Sequence, residues 1–302
     1  MIIHPELLPG KLYAAQPWWK NAVLYQVYPR SFQDTNGDGL GDLEGILRRL
    51  DYLADLGVDI VWISPIYRSP QADNGYDISD YRDIDPLFGD LGAFDALVTR
   101  AHALGMRIVM DLVVNHTSIE HPWFVESASS MNSERRDWYY WRDPRPGFEP
   151  GTPGAEPTNW ESFFGGPAWE YDPSTGQYYL HLFAREQPDL NWENPHVRDA
   201  VYDMMNWWLD RGVDGFRVDA IDVISKLPGL PDGGPPRPPF GVGHECFADG
   251  PRLHEFLQEM HERTFAHHPG SFTVGEASNA SPETALLFCD PERREFNMLI
   301  QF

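Results

Sequence analysis

The residues best placed to do chemistry are two carboxylates, Asp219 and Glu276, each at the predicted end of a β-strand. Hydrolysis of a glycosidic bond needs two such groups, one as nucleophile and one as general acid. Arg217 shares a strand face with Asp219, so its guanidinium favours the ionised form that a nucleophile requires. Glu276 must instead carry a proton near neutrality, which burial and the Asp219 charge would favour. The alternatives are a structural ion pair for Asp219 and a surface role for Glu276.

A second polar cluster follows the predicted strand Arg107–Val114. Asp111 and Asn115 lie on one face of this strand, and buried polar groups need hydrogen-bond partners, which Arg217 could supply. His116 could donate to a sugar hydroxyl. Taken alone, His116 is more typical of a satisfied structural histidine.

Strands and helices alternate along most of the chain, which is typical of an α/β protein with a parallel sheet covered on both faces. The predicted strands are Ala22–Tyr28, Asp59–Ser64, Arg107–Val114, Val213–Asp219, Ser271–Glu276 and Phe296–Phe302. The predicted helices are Asp42–Leu56, Phe94–Leu104, Asn194–Arg211 and Pro251–His267. Polar residues at the carboxyl ends of several strands favour a barrel over a doubly wound sheet. A doubly wound sheet would need a Gly-rich phosphate turn, and Gly37, Gly39 and Gly41 have the wrong spacing for one.

The alternation fails between His116 and about Asn194, in a stretch rich in Trp, Tyr, Pro and Gly. A structureless loop of that length is implausible in a compact fold, so the stretch indicates a small subdomain inserted after the third strand. The Pro/Gly segment Leu227–Pro239 follows the Asp219 strand, either as a plain connector or as part of a pocket rim.

The composition narrows the class of partner. The 302 residues carry a formal net charge of −23, with 42% hydrophobic and 23% charged residues. This charge argues against nucleic acid or an anionic membrane and fits a neutral small substrate, since a phosphorylated one would be repelled. The first residues, Met1–Glu6, lack the pattern of a signal peptide, and no stretch is apolar enough to span a membrane. A cytoplasmic location is the default expectation.

The segment Asp34–Asp42 (DTNGDGLGD) predicts a hard-cation loop for Ca²⁺ or Mg²⁺. It is not an EF-hand, because Gly45 stands at the twelfth position and a strand precedes the loop. An Asx-rich turn without metal is the alternative. The expected ligands are oxygens of Asp34, Asn36, Asp38, Leu40 (its backbone carbonyl) and Asp42.

Four further residues could contact a sugar. Tyr76 could stack on its ring and Asp77 could accept hydrogen bonds from its hydroxyls. Phe163 and Phe164 in the insertion offer apolar ring contacts. Aromatic residues are more often part of a core than of a binding platform, so each of these is weak evidence alone.

Taken together, these segments resemble the α-amylase family of retaining glycoside hydrolases, within it the α-glucosidase and oligo-1,6-glucosidase branch. The matching segments are AVLYQVYPRSF (Ala22–Phe32), GYDISDY (Gly75–Tyr81), DLVVNH (Asp111–His116), QPDLN (Gln187–Asn191), GFRVDA (Gly215–Ala220) and VGEA (Val274–Ala277). They occur in the family's order and cover nearly the whole chain.

The resemblance implies a (β/α)8 barrel with a B subdomain after strand three, Asp219 as nucleophile and Glu276 as acid/base. It implies glucose contacts from Tyr76, Asp77, His116, Phe163, Gln187 and Arg217, and a divalent cation in the Asp34–Asp42 loop. The QPDLN segment is similar to a marker of exo-acting glucosidases. In this branch the residue after the nucleophile correlates with linkage, and Ala220 favours α-1,4-linked or sucrose-like substrates over α-1,6 ones.

The expected domains are residues 1–116 and 194–302 for the barrel and 117–193 for the inserted subdomain. Only about six barrel strands are predicted, and the family's third catalytic carboxylate has no counterpart. We therefore expect the span to be part of a longer protein and inactive alone.

The leading hypothesis is an exo-acting, retaining α-glucosidase that acts on small oligosaccharides or disaccharides. A transglucosylase or sucrose isomerase on the same scaffold would share the glucosyl-enzyme and differ in the acceptor. A non-catalytic α-amylase-like binding protein is opposed by the intact carboxylate pair. A cation-binding structural module would explain the Asp34–Asp42 loop alone.

Overall fold

A computed structural model describes residues 17–236, 241–278 and 280–300. The segment Met1–Glu6, the end of the Leu227–Pro239 segment and the last two residues of the strand predicted at Phe296–Phe302 lie outside the described residues.

The strands alternate with helices in the order predicted. In chain order the strands are β1 (Leu24–Val27), β2 (Ile60–Ile63), β3 (Tyr67–Arg68), β4 (Asp80–Ile84), β5 (Arg107–Val113), β6 (Trp141–Arg142), β7 (Trp169–Asp172), β8 (Gln177–Leu180), β9 (Gly215–Asp219), β10 (Phe272–Glu276) and β11 (Met298–Ile300). The helices are α1 (Pro29–Phe32), α2 (Leu43–Leu56), α3 (Leu91–Ala103), α4 (Pro122–Ala128), α5 (Pro195–Asp210), α6 (His244–Phe247), α7 (Leu253–Arg263) and α8 (Pro282–Cys289).

Six strands form one sheet in the order β1-β2-β5-β9-β10-β11, and all neighbours pair in parallel. The inner strands are almost entirely buried, whereas β1 and β11 at the two edges are partly exposed. Because parallel strands end at the same edge, the carboxyl ends of β5, β9 and β10 meet, as the sequence predicted.

Gly215 is required where β9 meets β10. Its φ is +153°, and a Cβ there would lie 1.7 Å from the carbonyl oxygen of Phe272. Strands β9 and β10 can approach this closely only because residue 215 has no side chain. This close approach fixes the register in which Arg217 pairs with Val274.

Several helices begin at polar side-chain caps, and some helix boundaries differ from the predicted ones. Asp90 accepts from the Ala93 N–H, so α3 begins at Leu91 rather than Phe94. Asn194 caps α5 in the same way, and α7 ends at Arg263 before a separate 3₁₀ turn at Phe265–His267. None of the helices in the described ranges combines the length and apolar composition that a bilayer span requires.

The stretch between β5 and α5 carries its own antiparallel sheet, in the order β6-β8-β7. A cluster of buried aromatic residues, Trp160, Trp169 and Tyr178 among them, packs against residues of the segment after β9 such as Val223 and Phe247. We therefore propose residues 117–193 as an inserted subdomain between two parts of the barrel domain, residues 1–116 and 194–302.

Candidate active site

The two predicted carboxylates lie side by side at the ends of β9 and β10. Arg217 Nη1 donates to Asp219 Oδ1 at 2.6 Å, and Arg217 Nη2 lies 2.5 Å from Glu276 Oε2. The Ala220 N–H also donates to Glu276 Oε2, at 3.1 Å. Both carboxylates are largely buried, with side chains 10% and 15% exposed. One guanidinium therefore holds both groups next to each other.

A third carboxylate shares the same guanidinium. Arg217 Nη1 also donates to Asp111 Oδ1 at 2.6 Å, as expected from the pairing of β5 with β9. The other Asp111 oxygen accepts from Trp62 Nε1 at 2.9 Å and from the Tyr76 hydroxyl at 3.3 Å. The sequence predicted this partner for Asp111, whereas Asn115 finds a different one, Lys226.

The electrostatics of Asp219 differ from the sequence argument. Burial raises the pKa of Asp219 well above its ordinary value, and the charges of Glu276 and Asp111 act in the same direction. Arg217 lowers it, as expected, but by less than burial raises it. Burial likewise raises the pKa of Asp111. Proximity to Arg217 alone predicts an ionised Asp219, but the cost of desolvating a buried charge opposes it.

His116 lies beside this cluster, directly after β5, with its ring fully buried. His116 Nε2 is 3.2 Å from the Tyr76 carbonyl oxygen and 3.0 Å from Gln187 Nε2. Burial lowers the pKa of His116 to about 4, so the imidazole is neutral near pH 7. A neutral imidazole carries one N–H, which is available as a hydrogen-bond donor.

Asp77 is occupied within its own loop. One oxygen accepts from the Ser69 hydroxyl and the Asp73 N–H, and the other from the Ala72 N–H, all at 2.9–3.0 Å. The carboxylate is fully buried. In this structure it holds the loop that places Tyr76 against Asp111.

An aromatic group lines the insertion side of the site. Phe163 stacks on Phe183, with ring centroids 5.0 Å apart and planes at 23°. Phe183 in turn contacts the His116 ring at 5.0 Å. Phe164 is 62% exposed and meets Phe183 edge-on. Gln187, fully buried, donates to Asp73 Oδ2 at 3.0 Å.

Several residues of the site were missed by the sequence reasoning: Trp62, Asp73, Phe183, Asp189 and Lys226. Asp73 stands four residues before Asp77, and Asp189 lies within the QPDLN segment, so proximity to a motif could have found both. Lys226 lies in a loop seven residues after Asp219, and no local pattern marks it.

The Asp34–Asp42 loop closes through its own hydrogen bonds. Asp34 accepts from the N–H groups of Asn36, Gly37 and Gly39, and these bonds lower the pKa of its carboxyl. Asp42 caps α2 through Gly45 and accepts from Thr35 with its other oxygen.

Within the described ranges, no group of three or more His, Cys, Asp or Glu is arranged to hold a metal. Asp34 Oδ2 and both Asp38 oxygens each accept one hydrogen bond, which leaves a lone pair on each for a cation. Asp34 and Asp38 therefore keep free oxygen lone pairs, and Asp42 is the least available of the predicted ligands.

A known protein family matches a stretch of the chain that includes every residue of this site. Residues 26–302 match the family described as alpha amylase, catalytic domain. The chain belongs to the alpha-amylase family. This membership confirms the predicted (β/α)8 barrel class, and the six parallel strands of the described ranges form an open part of such a barrel.

Members of the alpha-amylase family resemble the chain closely. Over 286 residues it is 56% identical to an oligo-1,6-glucosidase of Parageobacillus thermoglucosidasius, covering 94% of this chain and 50% of the relative. The structure of Bacillus licheniformis trehalose-6-phosphate hydrolase superposes with a TM-score of 0.88 at 50% identity, covering 95% and 49%. A mutant of MutB in complex with the substrate sucrose gives 0.86 at 48% identity, covering 95% and 50%. The chain spans about half the length of the curated relatives it matches.

We expect Asp219→Asn to stabilise the protein at neutral pH, because it removes one of three carboxylates that share a single buried guanidinium. The folded-state pKa of Asp219 is raised, so the folded protein binds more protons than the unfolded chain between the two pKa values. Wild-type stability therefore falls as the pH rises through that interval. The free energy of unfolding of the variant should exceed that of wild type by about 1.4 kcal/mol for each unit by which folding raises the pKa of Asp219.

Urea unfolding of both proteins from below pH 4 to pH 8 measures this gain, which should be absent at the acid end and grow with pH. Asp55→Asn, an exposed aspartate on α2, is the matched control and should show no such trend. A variant less stable than wild type at every pH would contradict the prediction.

Proposed function

We propose that the protein is a retaining, exo-acting α-glucosidase, with Asp219 as nucleophile and Glu276 as acid/base. The observation that carries this proposal is the contact of both carboxylates with one guanidinium, at the ends of adjacent strands. In a retaining enzyme the two carboxyl groups lie close together, whereas in an inverting enzyme they lie farther apart and leave room for a water molecule. The shared contact with one guanidinium favours the retaining arrangement.

The chemistry would proceed in two steps. Asp219 attacks the anomeric carbon while Glu276 gives its proton to the departing glycosidic oxygen, which leaves a covalent glucosyl-enzyme. Glu276 then takes a proton from water, whose oxygen attacks the same carbon and releases Asp219. Two inversions restore the α configuration. Arg217 orients the Asp219 carboxylate through its contact with Oδ1.

The proposed substrate is a short neutral α-glucoside. Tyr76 and Phe163 would pack on the glucose ring, and the neutral His116 would donate to a hydroxyl. Asp77 and Gln187 would complete the pocket, acting on the sugar or through the loops that they hold. The net charge of −23 opposes a phosphorylated substrate, although one similar structure is named a trehalose-6-phosphate hydrolase.

For the linkage we propose α-1,4-linked or sucrose-like substrates. Ala220 follows the nucleophile and its N–H donates to Glu276, so its backbone lies next to both carboxylates. A larger side chain would narrow the space beside them. The relative at 56% identity is named for α-1,6 linkages, which makes isomaltose the necessary comparison.

We expect Ala220→Val to lower kcat/KM for maltose relative to isomaltose by about tenfold, the usual effect of one or two methyl groups in a pocket. The measurement is the ratio of the two kcat/KM values in the protein's complete chain. Ala266→Val, on the exposed 3₁₀ turn at Phe265–His267, is the control and should leave the ratio unchanged. A wild-type protein that already prefers isomaltose would refute the proposed linkage.

We expect Glu276→Gln to lower kcat on maltose by about 10²–10⁴-fold, the usual contribution of general acid–base catalysis. On a p-nitrophenyl α-glucoside the Glu276→Gln variant should recover much of the lost rate of the first step, because the p-nitrophenolate leaving group needs no proton. Asp219→Asn should be inactive on both substrates, since no covalent intermediate can form. NMR of the first product should show α-glucose.

Initial release of β-glucose, or unchanged turnover by Asp219→Asn, would refute the mechanism. Binding of maltose without any turnover by wild type would favour a non-catalytic binding protein.

Transfer or isomerisation is a second candidate, favoured by the similarity to MutB with bound sucrose. The same glucosyl-enzyme would then be attacked by a sugar hydroxyl instead of water. Product analysis on sucrose separates the two, because hydrolysis yields glucose and fructose, and isomerisation yields a new disaccharide.

We also propose a structural Ca²⁺ or Mg²⁺ ion in the Asp34–Asp42 loop, held by Asp34, Asn36, Asp38 and the Leu40 carbonyl, with Asp42 closing the loop. The charge of the ion would offset the repulsion between the loop carboxylates.

We expect chelation with EDTA to lower the Tm and re-addition of Ca²⁺ or Mg²⁺ to restore it. An ion at a hundred times its Kd would contribute about 2.7 kcal/mol. Asp38→Ala should abolish the response, whereas Asp55→Ala should keep it. A Tm that is insensitive to EDTA would favour the metal-free turn.

A further inference from the structure

We propose that Lys226 is a positioning residue that fixes the tautomer of His116, so that His116 carries its proton on Nε2. The inference deepens the proposed function and depends on it for its kinetic consequences. The geometry itself involves Lys226, Asn115 and His116, none of which transfers a proton in the proposed mechanism.

Lys226 is a buried lysine with three oxygen contacts. Its side chain is 1% exposed, and Nζ donates to Asn115 Oδ1 at 3.0 Å and to the Val223 carbonyl at 2.8 Å. Nζ also lies 2.7 Å from Asp189 Oδ2. These contacts connect the end of β5, the QPDLN segment and the loop after β9. A buried lysine is costly unless it is paired, and the Asp189 carboxylate supplies the pair.

The contact with Lys226 determines which way the Asn115 amide points. An ammonium group has only donors, so it must face the amide oxygen. The amide nitrogen of Asn115 is then directed at the ring, and its Nδ2 lies 3.3 Å from His116 Nδ1. An NH₂ group donates, so His116 Nδ1 accepts and is unprotonated. In a neutral imidazole the single proton must then be on Nε2.

Two other neighbours of His116 favour opposite tautomers of its ring. Nε2–H can donate to the Tyr76 carbonyl at 3.2 Å, which agrees with the tautomer set by Lys226. Gln187 Nε2, at 3.0 Å from the same nitrogen, favours the opposite tautomer, in which Nε2 would accept. The Gln187 amide cannot turn around, because its oxygen accepts from Ala184 and its nitrogen donates to Asp73. Lys226 therefore decides between two competing arrangements.

The tautomer matters because the Nε2 proton, which faces the Tyr76 carbonyl in this structure, is the one that the proposed function would direct to a sugar hydroxyl. With the proton on Nδ1, His116 would face Asn115 Nδ2 with a second donor and could not donate from Nε2. Loss of one neutral hydrogen bond of ordinary strength would then lower kcat/KM by about two- to tenfold.

The direct test is ¹⁵N NMR of the His116 ring near pH 7, which distinguishes the two tautomers by the shifts and proton couplings of the ring nitrogens. Wild type should show the proton on Nε2. Lys226→Met should shift the population toward Nδ1–H. Asn115→Asp, whose carboxylate can only accept, should give Nδ1–H and serves as the positive control.

Lys226→Met leaves Asp189 buried without its partner, and this variant could fail to fold. The double variant Lys226→Met/Asp189→Asn removes both charges and tests the same tautomer shift without that penalty. Lys20→Met changes an exposed lysine on the 3₁₀ turn Trp18–Asn21; this matched control should leave the His116 spectrum unchanged.

Kinetics of the protein's complete chain on maltose give the second readout. Lys226→Met and Asn115→Asp should each lower kcat/KM about two- to tenfold, mainly through KM, and their effects should not add. Proton on Nδ1 in wild type, or an unchanged tautomer in both the single and the double variant, would overturn the inference. An inactive wild type with the expected tautomers would refute the proposed function and leave the positioning intact.

Discussion

The site depends on one buried guanidinium that contacts three carboxylates. Arg217 reaches Asp111, Asp219 and Glu276 from the middle of a parallel sheet, so it connects three neighbouring strands at the edge where they end. Coulomb attraction is strong at this depth, but so is the cost of desolvation, and three carboxylates exceed the charge of one arginine. Packing of the surrounding strands therefore has to stabilise this arrangement, because the charges alone do not.

That packing comes from the inner strands and their close approach. The buried strands β2, β5, β9 and β10 fix the register that pairs Arg217 with Asp111 on one side and with Val274 on the other. Gly215 allows the approach between β9 and β10, and Trp62 donates to the far oxygen of Asp111. Backbone geometry and one indole N–H thus help to place the charges.

The sequence predicted the sheet, the main helices, and the position of both carboxylates, because strands and helices have strong hydrophobic periods and each carboxylate ends a strand. It placed the start of α3 three residues late, since the cap at Asp90 lies outside the apolar pattern. It credited Arg217 with more control over Asp219 than burial allows, because burial is a tertiary property. It missed Lys226 for the same reason, since its partners Asn115 and Asp189 are distant in sequence.

Burial raises the pKa of Asp219, whereas the nucleophile of the proposed mechanism has to be ionised. Burial makes the cluster retain a proton, and a retaining mechanism needs one proton on the acid before the first step. Asp219 could become the proposed nucleophile by giving this proton up, because the contact with Arg217 favours its ionised form. The desolvation that opposes an isolated Asp219 anion would thus keep in the cluster the proton that the first step transfers and the second step restores.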